Sequence, residues 1–175
     1  MEFEKPIIRV ATPSDAPLLA KLAEKTFRDA FGHLNNKEDF EDYVAGSFTE
    51  DQIRSELMDD TITFFIARLK DERAGYAKLH QSPAPGCVKP LPAIELSRLY
   101  SKQQYLGCGI GHALMAACIN HAQDNAFKSI WLGSWQENHR GNAFYAKMQF
   151  EVAGTKTFAL GSGIQEDYIF ARPIG

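Results

Sequence analysis

The chain has 175 residues, 45% hydrophobic and 23% charged, with a formal net charge of −3. That length fits a single domain over residues 1–175, and that apolar share supports a real core. The acidic balance leaves no basic footprint for nucleic acid, and no apolar run approaches the ~20 residues a membrane span needs.

The first segment, MEFEKPIIRV, lacks the basic start and apolar core of a signal peptide. Three cysteines, Cys87, Cys108 and Cys118, form no CxxC pair, which points to a reduced, cytoplasmic protein. Ile7 to Val10 reads as a short strand. Thr12-Pro13-Ser14-Asp15 then starts a helix with a hydroxyl N-cap, Pro at the first position and Asp in the first turn. Leu18, Leu19, Leu22, Ala23, Phe27 and Phe31 give it one apolar face, and Gly32 ends it. His33 to Tyr43 is acidic and reads as a solvated loop or helix face; the other reading is a rim that attracts cations. Thr49-Glu50-Asp51-Gln52 is a capping-box pattern ahead of Ile53, Leu57 and Met58.

Thr61 to Leu69 and Ala74 to His80 are strands joined by a turn at Lys70 to Arg73, an antiparallel hairpin. Gln81 to Pro92 carries four prolines and is an excursion, because the strand Ala93 to Tyr100 resumes the sheet. Gly107, Gly109 and Gly111 form a turn into a helix with Leu114, Met115, Cys118, Ile119 and Ala122 on one face. Ser129 to Gly133 is a short buried strand, Asn138 to Met148 a helix, and Val152 to Leu160 and Asp167 to Ala171 two last strands around a Gly-Ser-Gly turn. The order gives a mixed α/β sheet.

A strand, a glycine-rich turn and a helix start make a place for a phosphate, because the first N–H groups of a helix lack intrahelical partners. GxGxG is neither a P-loop nor a dinucleotide fingerprint, since Ala113 and Leu114 follow His112. Alone it also suits a ligand-free turn. The stretch LSRLYSKQQYLGCGIGHALM, followed by WLGSWQENHRGNAFYAKMQFEVAG, resembles the GNAT superfamily of N-acetyltransferases over roughly residues 7 to 172. Within it, the chain is most similar to bacterial spermine/spermidine N-acetyltransferases. Two positions depart from the pattern: Leu106 stands for the usual Gln or Arg, and Gln149 for the Gly before Phe.

The resemblance implies an α/β (α+β) GNAT-like fold. Its sheet is mostly antiparallel and twisted, with helices on both faces, and the strands holding residues 94–100 and 129–133 splay apart. It implies acetyl-CoA as cosubstrate. The main chain of Leu99 and Tyr100 would meet pantetheine, and the backbone from Leu106 through Gly107, Gly109, Gly111 and His112 the pyrophosphate. Asn138 would hold the pantetheine arm, although the same residue suits an N-cap. Lys147 reads first as a solvated helix lysine and second as a phosphate contact.

Acetyl transfer needs a neutral amine, a donor for the carbonyl oxygen and an acid for the thiolate. The resemblance makes Tyr145 that acid. Glu95, on the opposite strand face from Ile94 and Leu96, could relay the amine's proton through water, or simply pair with Arg98 or Lys78. The acidic stretch Glu38 to Asp42 suits a polycationic acceptor, while N-terminal amines and other small amines stay open. Cys108 reads as a small turn residue, since no Cys-His-Asn setting accompanies it. The histidines show no metal-ligand spacing, so no metal is expected. The expected partner is a small-molecule amine, with a homodimer left open. The competing class is a non-catalytic, CoA-binding regulatory module.

Overall fold

β-branched and aromatic residues draw Ile62–Leu69 (β2) and Glu72–His80 (β3) into an antiparallel hairpin, with Phe65 opposite Ala77 and Phe64 opposite Lys78. The computed structural model describes residues 4–32, 37–160 and 163–175. Ile7–Val10 (β1) joins β2, and Ala93–Ser101 (β4) joins β3, both antiparallel. Ser129–Trp135 (β5), Glu151–Leu160 (β6) and Gly163–Pro173 (β7) complete a seven-stranded sheet in the order β1-β2-β3-β4-β5-β7-β6. Among the described residues only the β4–β5 pair is parallel, and such a pair needs a long crossover. The helix Ile110–Asp124 (α4) supplies it. Of the last turn of the chain, Gly161 and Ser162 lie outside the described residues.

The two faces of the sheet carry different cores. Under α4, the sheet buries Phe65, Ala77, Leu79, Ile94, Leu96, Ile130 and Leu132 against Leu114, Met115 and Cys118. On the other face, Ala16–Phe31 (α1), Lys37–Ser47 (α2) and Glu50–Leu57 (α3) cover Phe64, Ile66 and Tyr76 with Leu19, Leu22, Ala23, Phe40, Val44 and Ile53. Each Leu, Ile, Phe, Val or Met among them contributes about 1.5–3 kcal/mol relative to exposure. α2 resolves the open reading of the acidic stretch from Lys37 onward in favour of a helix face, since Phe40 and Val44 turn inward; residues 33–36 lie outside the described residues. A 3₁₀ turn, Pro13–Asp15, precedes α1. Half of the capping box at Thr49 forms: Thr49 Oγ1 accepts from Gln52 N at 3.1 Å, while the Gln52 amide donates to Glu56.

β4 is irregular at one position. Lys78 pairs with Arg98 but Leu79 with Leu96, so Ser97 is an extra residue, a β-bulge. Without it, alternation would put Glu95 and Arg98 on opposite faces. With it, Glu95, Arg98 and Tyr100 share the α1 face, while Leu96 and Leu99 both join the α4 core.

The helix His139–Lys147 (α5) closes with two reciprocal backbone bonds, Phe150 N to Tyr145 O at 3.0 Å and Gln149 N to Ala146 O at 3.1 Å. This is a Schellman motif, and its apolar contact is present as well, the Tyr145 and Phe150 rings lying 6.0 Å apart. The motif requires a left-handed residue, and Gln149 takes it, with φ 70°. That explains why the related pattern places glycine there. Gln149→Gly should therefore raise stability by about 0.5–1 kcal/mol, read from the denaturant midpoint, with the m-value unchanged.

Candidate active site

β4 and β5 pair over only three rungs, Ala93 with Ser129, Ile94 with Ile130 and Glu95 with Trp131. Beyond them the strands separate, as expected, and from Leu96 onward the β5-facing edge of β4 has no strand partner. The gap opens a cleft of ≈ 1070 Å³ that runs between α1 on one side and the start of α4 on the other.

The glycine turn forms one end of this cleft. Gly107 and Gly109 have φ of 83° and 84°, and a side chain at Gly109 would project into open space rather than into the protein. Glycine is needed there for the backbone, not for packing. Gly111 differs: a Cβ would lie 3.2 Å from the Phe144 ring, so its absence lets α5 approach α4. Of the turn's amides, Cys108 N–H is already used by Tyr105 O at 3.1 Å, which removes it from the expected phosphate contacts. The first intrahelical bond is Ala113 N to Gly109 O, leaving the N–H groups of Gly107, Gly109, Ile110, Gly111 and His112 available at the positive end of the helix dipole. Leu106, 41% exposed, lines the same mouth with His112, Lys147 and Arg140. An anionic pyrophosphate fits this donor set.

Tyr145 lines the cleft, its ring set against Phe144, Phe150 and Phe170 at 5.6–6.0 Å. Desolvation pushes its hydroxyl up to about 12. Two features hold it. The Schellman closure follows it in the chain, and Asn142, one turn earlier, ties α5 to the end of β5. Asn142 accepts from Ser134 Oγ at 2.6 Å and donates to the carbonyls of Trp135 and Gln136, each at 3.2 Å. Asn138 is the N-cap, its Oδ1 accepting from Gly141 N at 3.2 Å, and it also lines the cleft. Both readings of Asn138 are thus compatible.

Glu95 lines the cleft beside the last β4–β5 rung and accepts from Ser82 Oγ at 3.3 Å. It makes no ion pair with Arg98 or Lys78. Lys78 pairs instead with Glu56 at 2.9 Å, both nearly buried. Burial, then the Arg98 charge, lowers the Lys78 ammonium against the pull of Glu56. Arg98 lies 4.7 Å over the Phe48 ring, and its guanidinium opposes the rise that burial imposes on the Tyr76 hydroxyl. Six partly buried rings, Phe27, Phe31, Tyr43, Tyr100, Trp135 and Phe158, wall the side of the cleft away from the glycine turn. Burial, then Tyr76 and Tyr145, holds the Tyr100 hydroxyl well above its ordinary value. The alternative reading of the acidic stretch, a cation-attracting rim, finds no place at the cleft: Glu41 is held by Arg28, and the carboxylates that line the cleft are Asp29, Glu95 and Asp167.

Asn142, Lys78 with Glu56, Arg98 and Asp167 carry no spacing signal, because each depends on a partner distant in sequence. Among the described residues no group of three or more His, Cys, Asp or Glu side chains is arranged to hold a metal ion.

A splayed parallel pair, a glycine turn at a helix start and a tyrosine between them define an acetyl-CoA-dependent N-acetyltransferase. The chain matches the Acetyltransferase (GNAT) family over residues 19–150, and it belongs to that family. It is 32% identical to an uncharacterised N-acetyltransferase of Mycobacterium tuberculosis, across 92% of this chain and 99% of the relative. It is 25% identical to another in the pepI 3′ region of Lactobacillus delbrueckii, across 91% of this chain and 92% of the relative. Its fold matches PaiA N-acetyltransferase from Thermoplasma acidophilum, solved in complex with coenzyme A, with TM-score 0.77 at 19% identity over 97% of this chain and 99% of that one.

Gly109→Val would place a β-branched residue at φ 84°, at a cost of order 1–3 kcal/mol, and would block backbone approach. Its affinity for CoA, measured by calorimetry on folded protein, should fall at least tenfold, ~1.4 kcal/mol; unchanged affinity would remove the phosphate from this turn.

Proposed function

We propose that the protein moves the acetyl group of acetyl-CoA directly onto a neutral primary amine, with Tyr145 as the general acid. The amine nitrogen forms a bond to the thioester carbonyl carbon, the C–S bond breaks, and the Tyr145 hydroxyl protonates the departing sulfur. The amine's own proton leaves through water to Glu95. The observation that carries this reading is Tyr145 itself, lining the cleft with a desolvated hydroxyl, in a helix segment tied down at both ends. A group held near 12 stays protonated at every working pH, which suits a donor and not a base.

For the cosubstrate, the free N–H groups at Gly107, Gly109, Gly111 and His112 would take the pyrophosphate, with Leu106 beside them and Lys147 within the same mouth. The open edge of β4 at Leu99 and Tyr100 would pair with pantetheine, with Asn138 across from it. For the acceptor, the likeness to spermine/spermidine acetyltransferases and the cleft carboxylates support a polyamine. Peptide N-termini and other small amines are the competing acceptors. Three free cysteines, two of them exposed, fit a reducing cytoplasm.

Tyr145→Phe keeps the ring contacts and deletes the donor. The single-turnover rate should fall ~10²-fold or more, with acetyl-CoA affinity nearly unchanged. A wild-type rate in folded Tyr145→Phe protein would end the acid assignment, and the absence of thiol release with any amine would favour a non-catalytic module. The pH profile gives a second check. The acid form of Tyr145 persists below its raised value of about 12, so activity should climb with amine deprotonation and show no descending limb at the ordinary tyrosine value of 10.0.

A further inference from the structure

Three carboxylates line the cleft, and they differ in what holds them. Asp29 is paired with Lys25 at 3.3 Å. Glu95 and Asp167 each accept one long hydrogen bond from a neutral donor, from Ser82 Oγ and from Gln165 Nε2, both at 3.3 Å. Neither has an ion pair within 4.0 Å among the described residues. Asp167 is only 6% exposed, and burial raises its carboxyl above its ordinary value, offset only in part by the Gln165 hydrogen bond and the Lys156 charge.

The nearby cations are engaged elsewhere. Lys78 is held by Glu56, and Arg98 lies over Phe48. Lys156 stands directly opposite Asp167 in the β6–β7 register, yet its ammonium lies 5.6 Å over the Trp131 ring, beyond ion-pair range of the carboxylate. Asp167 is also directly opposite Trp135 of β5, so both project from one sheet face, and Phe158, two residues beyond Lys156, shares that face. Aromatic faces beside a carboxylate attract an ammonium group and cover the methylenes attached to it.

Glu95 lies on the same face, opposite Trp131, and Trp131 and Trp135 are four residues apart on β5. Four strand steps along and two strand spacings across put the Cα atoms of Glu95 and Asp167 roughly 16 Å apart. The rings of Phe31, Tyr43, Trp135 and Phe158 line the same cleft.

We propose that Asp167 anchors a second ammonium group of the acceptor, so that the acceptor is a long polyamine held near Glu95 at its reacting end and at Asp167 at the other. This rests on the polyamine reading and adds the residue that selects for chain length and second charge.

The test compares spermidine, 1,3-diaminopropane and n-butylamine by steady-state kinetics with acetyl-CoA, in wild type, Asp167→Asn and Asp167→Glu. Wild type should favour spermidine over both shorter amines by at least tenfold in kcat/KM. Asp167→Asn should erase most of that preference through KM, and Asp167→Glu, which keeps the charge, should restore part of it. Unchanged acetyl-CoA affinity would show that the variants are folded. A spermidine preference that survives in Asp167→Asn would overturn the anchor and leave the polyamine reading standing. Wild type that acts on n-butylamine or on amino acids but not on spermidine would overturn both. Equal efficiency on spermidine and 1,3-diaminopropane in wild type would overturn the anchor without recourse to any variant.

Discussion

Three rungs of parallel pairing, from Ala93 with Ser129 to Glu95 with Trp131, decide where everything else in the cleft can be. Were β4 and β5 paired along their whole length, their backbone groups would satisfy one another and no ligand could enter. Stopping the pairing after Glu95 leaves a row of main-chain donors and acceptors facing an opening, which an extended polar ligand can complete. The α4 crossover that the parallel pair demands starts at the far rim of that opening, with its dipole aimed into it. One constraint on pairing thus yields both the slot for an arm and the seat for a phosphate.

The cleft divides by chemistry. Its α4 end offers backbone N–H groups, Arg140 and Lys147, which suit anions. Its α1 end offers rings and the carboxylates Glu95 and Asp167, which suit a cationic or hydrocarbon body. Tyr145 stands between the two, where charge would move from nitrogen to sulfur. Burial keeps its hydroxyl protonated up to about 12, the property that the proposed acid role needs.

Much of this was legible along the chain because it is local. The glycine turn, the apolar stripe of α4 and the AFYAKMQF helix are written in consecutive residues, and they place Tyr145, Gly109 and Asn138 without a structure. The Ser97 bulge was not legible, since IELSRLY alternates passably without it; only the pairing with β3 shows that Leu96 and Leu99 face the same way. The surroundings of Asp167 and Asn142 were hidden for the same reason, as they depend on cross-strand register and on tertiary hydrogen bonds. Composition left the acidic stretch open between a solvated face and a rim; Glu41 is held by Arg28, and the carboxylates that line the cleft come from α1, β4 and β7.

The bulge at Ser97 bears on how this strand can vary over time. Side chains along β4 can be exchanged one by one, because each occupies its own position on a face. The number of residues cannot. Losing one between Glu95 and Arg98 would restore plain alternation and rotate one part of the strand against the other, sending either Glu95 away from the cleft or Tyr100 into the wrong core. Length in this segment is therefore under tighter restraint than identity, and descendants of this chain can diverge in acceptor while keeping the same count between the excursion and the glycine turn.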